Sequence, residues 1–394
     1  MSQATTLLAA GKQLESALIE FRRDLHQYPE LSMQESETAA KVAEQLRSLG
    51  YEVKTGVGGH GLIADLTGAK PGRTIALRAD MDALPIEEES GEPFSSKRPG
   101  VMHACGHDAH TTMLLGAARL LSEQKSRIAG TVRFLFQSAE EINRGAGLMI
   151  QAGALEGVDE IFGLHNLPTL ASGKAATRYG SLMGSVDRIE IRLEGKGGHG
   201  AIPDQSIDPV VAASAIVMGL QTAVSREISP FDPVVVTVGS LQAGEAFNVI
   251  PHRATLTGTI RTFAPRVQAT MKERVTRIAG QIAQAYRCTA EVDYLEMTPV
   301  LVNHDDSVAH VERTIDALLG ADKRSEAAPT MAGEDFSLYL QQVPGCFFWL
   351  GSGPAEGAEK AYGLHHPKFR IEESCLPLGA SLLAAIALNR LNGD

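Results

Sequence analysis

Four cysteines in 394 residues, at positions 105, 288, 346 and 375, are too few and too scattered for a disulfide framework, so reduced thiols in a cytoplasmic protein are expected. No stretch reaches the ~18 consecutive apolar residues of a membrane span. The N-terminus MSQATTLLAAGKQLESALIEFRRD has no basic region ahead of its short apolar run, which argues against a signal peptide. Lys/Arg runs are missing and the formal net charge is −11, which speaks against a nucleic-acid footprint and against an anionic-membrane patch. Internal repeats and low-complexity tracts are likewise absent. What remains is an ordinary globular composition, 44% hydrophobic and 21% charged, long enough for two or more domains and suited to small-molecule chemistry.

Helical and strand-like segments alternate along the chain, which predicts an α/β architecture with a mixed, largely parallel sheet. Two amphipathic helices open it, over 12–27 and 35–50, the second ending on Gly50 as a left-handed cap. Strands follow at 61–68, 74–85, 131–141 and 159–168, each running from apolar residues into polar or ionisable ones. In open α/β sheets the ligand crevice lies beyond the carboxyl ends of the strands, so these polar ends describe one crevice. Between about 183 and 295 the order becomes β-α-β-β-α-β, that of a ferredoxin-like unit. The expected division is therefore a discontinuous domain of residues 1–182 and 296–394, with an inserted α+β domain at 183–295 whose free sheet edges could pair across a dimer.

Soft and borderline metal ligands are concentrated in MHACGHDAHTT, residues 102–112, which holds three of the twelve histidines and one of the four cysteines. His103, Cys105 and His107 are spaced by two and share one side if extended; Asp108 can cap the helix that follows. A thiolate and an imidazole this close suit Zn or Mn better than Mg or Ca, although a buried core cysteine is the bland alternative. Further clusters stand at the other strand ends: Asp80 and Asp82, Glu140 and Glu141, His165, and His365 with His366.

Taken together, LRADMDALPI, HACGHDAHTTMLLGAA, FQSAEE, GLHNLP, GKGGHGAIP, NVIPHRATLTGTIRTF, MAGEDFS and LHHPKF resemble the M20 metallopeptidases, in the amidohydrolase subgroup of hippurate hydrolases, N-acyl-amino-acid deacylases and auxin-conjugate hydrolases. The motifs run from residue 77 to 369 in the family's order. The resemblance implies a zinc-peptidase-like catalytic domain holding two divalent cations, Zn or Mn with Co or Ni as further options, and an inserted lid and dimerisation domain. The implied assembly is a homodimer, or a tetramer built from it. The implied ligands are Cys105, His107, Glu141, His165 and His365, with Glu140 as general base. Asp80 stands where the wider clan has a ligating His, and Asp82 takes the orienting position behind a ligand.

The implied reaction is hydrolysis of the amide of an N-acyl amino acid by activated water, Glu140 moving the proton. His199, reaching the opposite subunit's site, would stabilise the oxyanion. Asn248 and Arg261, together with Gly333 and Glu334, would line the substrate site, although Arg261 also reads as an exposed strand charge. A dinuclear dipeptidase or carboxypeptidase is the competing enzyme. A Cys105-nucleophile hydrolase and a noncatalytic metal-binding protein are the readings outside that class. Aromatics, 5% of the chain, do not select among acetyl, benzoyl and longer acyl groups.

Overall fold

In the computed structural model, which describes residues 3–393, eight strands form one mixed sheet. Their order is Val53–Val57, Gly61–Thr67, Ala129–Gln137, Lys70–Asp80, Glu160–Ala171, Gly345–Gly353, Ala175–Thr177, Arg324–Glu326. The middle four strands pair in parallel, and the first two join antiparallel. This sheet belongs to a unit made of the chain through Gly180, Val302–Ala328 and the chain from Asp335 onward.

The parallel strands are nearly continuous in apolar residues because helices cover the sheet. Leu77, Phe134, Phe136, Phe162 and Phe348 are all buried in one large core. Helix His107–Ser122 packs on helix Cys375–Asn392 and on strand Lys70–Asp80. The two helices approach closely: a Cβ on Gly379 would lie 2.2 Å from Met113 Sδ, and one on Gly116 would lie 2.8 Å from Ala380 Cβ. Helix Cys375–Asn392 is long and apolar enough to cross a membrane by composition, but 78% of it is buried in this core. Helix Pro209–Glu227 passes the same test and contributes Ala212, Ile216 and Leu220 to the core of the second unit.

Two local features differ from the sequence-based expectation. The helix expected over 12–27 runs over Glu15–Gln27, and an unanticipated helix, Gln3–Gln13, precedes it and packs against the last helix. A Cβ on Gly11 would meet Ser381 Oγ at 2.1 Å, so this helix joins the core. The strand Val53–Val57 was also not anticipated, because three of its five residues are exposed and carry no alternating pattern. The helix Ser36–Ser48 does end as expected: Gly50 has φ 85°, and the N–H groups of Gly50 and Tyr51 donate to the carbonyls of Arg47 and Leu46.

The second unit comprises Ser181–Leu301 with Pro329–Glu334. Its four strands lie in the order Val234–Ala243, Arg253–Thr262, Val186–Glu194, Thr289–Thr298, every neighbour antiparallel. This is the ferredoxin-like arrangement. Helices Pro209–Glu227 and Pro265–Ala285 cover one face through Ile189, Ile191, Leu256, Met271 and Val275. The other face carries exposed ion pairs, such as Arg192 with Glu190 and Asp293, which contribute little to stability.

Candidate metal centre

Strands Lys70–Asp80, Ala129–Gln137 and Glu160–Ala171 are neighbours and parallel, so their carboxyl ends bring Asp80, Asp82, the turn after Gln137, and His165 to one side of the sheet. Helix His107–Ser122 starts there from Gly106, whose left-handed φ of 89° places Cys105 and His107 on either side of a sharp bend. Overlapping groups of ligand atoms result, each with its atoms within 4.8 Å of one another; they include Cys105, His107 and His165; Asp80, His107 and His110; Cys105, Glu141 and His365; and His107, Glu140 and Glu141.

Hydrogen bonds set which nitrogen each histidine offers. His165 donates from Nδ1 to the carbonyl of Asn166 at 2.8 Å, leaving Nε2 directed at Cys105 Sγ, 3.4 Å away. His107 donates from Nδ1 to Asp82 Oδ1 at 3.2 Å, leaving Nε2 3.7 Å from Glu141 Oε1. The other oxygen of Asp82 accepts from Ser32 Oγ at 2.7 Å and from the Glu141 N–H at 3.0 Å. Asp82 thus binds the His107 ring at Nδ1 and the backbone of Glu141 at once.

Asp80 is otherwise engaged. Its Oδ2 accepts from Arg78 Nη1 at 2.7 Å and its Oδ1 from His110 Nδ1 at 2.6 Å. The N–H of Asn166 donates to His110 Nε2 at 2.9 Å, so both nitrogens of His110 are used as well. The pair of histidines at 365 and 366 also divides. His365, with a left-handed φ of 65°, lies 3.4 Å from Glu141 Oε1 and is tied by its N–H to the Ala104 carbonyl. His366 turns away, stacking on Tyr362 with ring centroids 4.3 Å apart.

Two expectations for the opening cluster do not hold. Asp108 does not cap its helix. It is fully buried; its Oδ2 forms an ion pair with Arg22, 2.7 Å from Nε, and accepts from His26 Nδ1 at 2.8 Å, charged and polar partners that offset its desolvation. His103 is not brought together with Cys105 and His107, because the chain bends at Cys105 and turns left-handed at Gly106. Its ring lies 6.3 Å from that of His26, and it joins none of the ligand groups among the described residues.

The electrostatics of the pocket demand positive charge. Burial alone would lower the pKa of His107, but the carboxylates of Asp80, Asp82 and Glu141 overcome it and hold it at about 10. Burial, followed by the charges of Glu141 and Glu140, pushes the Cys105 thiol well above its usual value. Burial and the neighbouring His110 push His165 well below 6.5, so it is a neutral imidazole with a free lone pair. His107 Nε2 and Glu141 Oε1 are buried without a hydrogen-bond partner. Buried polar atoms are rarely left so, and a cation among a thiol, imidazoles and a carboxylate satisfies them together. The residues present fit divalent metal ions.

In the second unit, His199 lies on a short strand paired with Val249, its Nδ1 accepting the N–H of Ala201 at 3.1 Å. Asn248 is next to it, its carbonyl accepting the N–H of Gly200. Arg261 is half-buried rather than a fully exposed strand charge; burial lowers its pKa, opposed by Asp187. Gly333 packs over this guanidinium: a Cβ there would fall 3.3 Å from Arg261 Nη1 and 2.0 Å from Val186 Cγ2. Glu334 is buried beside it in sequence. Sequence reasoning missed Ser32, Glu35 and Arg78, and it gave His110, one of the three histidines of the 102–112 cluster, no role. Ser32 and Glu35 act on the site through partners distant in sequence, and Arg78 reaches both its neighbour Asp80 and the distant Asp335.

Residues 76–389 match the model of peptidase family M20/M25/M40, and the chain belongs to that family. It is 43% identical over 385 residues to N-acetylcysteine deacetylase of Bacillus subtilis, covering 96% of this chain and 98% of that one. It is 40% identical over 385 residues to thermostable carboxypeptidase 1 of Saccharolobus solfataricus, covering 97% of each. Among solved structures, a dinuclear metal-binding M20 peptidase from Bacillus subtilis superposes with a TM-score of 0.85 at 39% identity, over 96% of this chain and 99% of that one. The chain is therefore a metal-binding hydrolase of the M20 type.

Proposed function

We propose that the chain is a metal-dependent amidohydrolase that cleaves N-acyl L-amino acids to a carboxylic acid and a free amino acid. The observation that carries this reading is Glu140 grouped with His107 and Glu141, beside ligand atoms that have no other partner. Cys105, His107, Glu141, His165 and His365 would hold two divalent cations, Zn or Mn by ligand softness. Bound there, the cations would supply Lewis acidity, lowering the pKa of water and polarising a carbonyl.

The chain's own residues do the rest. Glu140 takes the water's proton at its carboxylate and returns it to the leaving nitrogen. Asp82 holds the His107 ring in one tautomer. His199, supplied by the opposite subunit of a dimer, donates to the developing oxyanion. Arg261 forks the substrate carboxylate, with Asn248, Gly333 and Glu334 lining the same region. The tight fit of Gly333 over Arg261 supports that role. The second unit acts as lid and dimerisation element, and the enzyme works in the cytoplasm, with four free, buried cysteines.

A nucleophilic role for Cys105 is disfavoured. Reactive cysteines sit in electropositive, partly exposed surroundings, whereas this one is buried among carboxylates. A carboxypeptidase reading is favoured by one observation, the 40% identity to a thermostable carboxypeptidase. A hydrolysis panel of N-acetyl-, N-benzoyl- and longer N-acyl-amino acids beside dipeptides on metal-loaded protein separates them. Faster turnover of the acyl amino acids is expected, and turnover confined to peptides would overturn the proposal.

A further inference from the structure

The segment Glu30–Glu35 lies between two helices at the N-terminus and contains none of the ligand residues, yet it reaches the metal centre at two points. Leu31 bridges Ala83 in parallel, and the Ala83 N–H donates to the Glu30 carbonyl at 2.8 Å. Glu30 anchors the segment from the far side: its carboxylate accepts the N–H groups of Glu37 and Thr38 at the start of helix Ser36–Ser48. From this base Ser32 reaches Asp82 Oδ2, and Glu35 reaches the turn that carries Glu140 and Glu141.

Glu35 is fully buried. Its Oε1 accepts the N–H of Met33 at 3.0 Å and the N–H of Ala139 at 2.8 Å. Both donors are non-glycine residues in the left-handed region, with φ 66° and 58°, which side-chain-bearing residues adopt only when surroundings impose it. Ala139 immediately precedes the two glutamates. On its carbonyl side the turn closes on itself, with the N–H groups of Arg144 and Gly145 donating to the Ala139 carbonyl and that of Asn143 to the Glu140 carbonyl. On its N–H side two acidic side chains hold it, Glu35 at Ala139 and Asp82 at Glu141.

We propose that Glu35 is a positioning residue whose buried oxygen pins Ala139 in the left-handed conformation and thereby sends Glu140 and Glu141 to their different tasks. The inference rests on the reading of Glu140 as base and Glu141 as ligand. Burial, with the charge of Asp82 adding to it, raises the Glu35 carboxyl to about 7. The contact needs only an acceptor oxygen, which the carboxyl offers in either protonation state and which a glutamine amide also offers.

The test compares Glu35→Ala, Glu35→Gln and the double variant Glu35→Ala/Ala139→Gly, each loaded with metal to a measured stoichiometry and checked for folding by thermal melt. The kcat of Glu35→Ala should fall about tenfold or more, with KM changed less than about threefold. Glu35→Gln should return to within about threefold of wild type, because its amide oxygen replaces the acceptor. Ala139→Gly should recover part of the loss, since glycine adopts this φ without steric cost.

A metal-loaded Glu35→Ala enzyme with wild-type kcat overturns the proposal, as does a Glu35→Gln as impaired as the alanine variant or a double variant with no recovery. If Glu35→Ala does not fold, Glu35→Asp, which withdraws the carboxylate by one methylene, carries the same expectation and the same refutation. Glu140→Gln measured alongside separates the two claims. Its retaining full kcat overturns the general-base reading, whereas its inactivity beside a fully active Glu35→Ala enzyme overturns only the role of Glu35.

Discussion

Raising the pH from 7 to 8 should tighten metal binding by about 100-fold, because the two main donors carry protons that a cation must displace. His107 is held at about 10 by Asp80, Asp82 and Glu141 against the opposing effect of burial, and Cys105 is pushed well above its usual value. Both are therefore protonated across this range. His165 is already neutral and releases nothing. Each displaced proton makes the apparent association constant rise about tenfold per pH unit, so two protons amount to about 2.7 kcal/mol between pH 7 and 8.

Competition with a chromophoric chelator of known pH dependence measures the slope. Calorimetry in buffers of different ionisation enthalpy counts the protons directly. Cys105→Ala should reduce the count by one. Affinity independent of pH over this range would refute the reasoning, since it would mean that neither His107 nor Cys105 binds the cation. The His107 proton also stabilises the metal-free fold. That contribution is complete below the unfolded value near 6.5 and is lost as pH rises to about 10, so the metal-stripped protein should melt progressively lower across that window.

Glu140→Gln should retain both metals while kcat falls about 10²- to 10⁴-fold, whereas Glu141→Gln should weaken metal binding; metal analysis beside kinetics reads both, and reversed phenotypes would mean the roles are exchanged. Gly333→Ala should lower kcat/KM by about 10- to 100-fold for substrates with a free carboxylate, because its Cβ would press on Val186 and the Arg261 guanidinium, and an unchanged kcat/KM would remove Gly333 from the substrate region. Co-dissociated and reassembled Glu140→Gln and His199→Ala proteins should regain about a quarter of wild-type sites if His199 serves the opposite subunit, and confirmed subunit exchange without recovery would exclude that arrangement.

The ligand cluster was legible because cysteine and histidine are scarce in this chain and fall at strand ends, where topology converges them. The antiparallel order of the second unit was legible for a similar reason, its alternating strands and long helices following one grammar. Supporting residues were not. Glu35 acts on Ala139, more than a hundred positions away, and Arg78 on Asp335 farther still, so no local pattern announces them. Asp108 misled because an acidic residue in a first helical turn looks like a cap until Arg22 and His26 are folded against it. The helix expected over 12–27 begins too early, because Lys12 and Gln13 close the separate helix Gln3–Gln13 rather than opening Glu15–Gln27.

The most direct test of the dinuclear, metal-dependent account is reconstitution. Protein stripped by a chelator is titrated with Zn or Mn while hydrolysis of an N-acetyl amino acid is followed by release of the free amino acid. Activity should be absent from the stripped protein, rise with added metal and level off at about two equivalents per chain. Full activity in the stripped protein, abolished by alkylation of Cys105, would contradict the account and return the chemistry to the thiol.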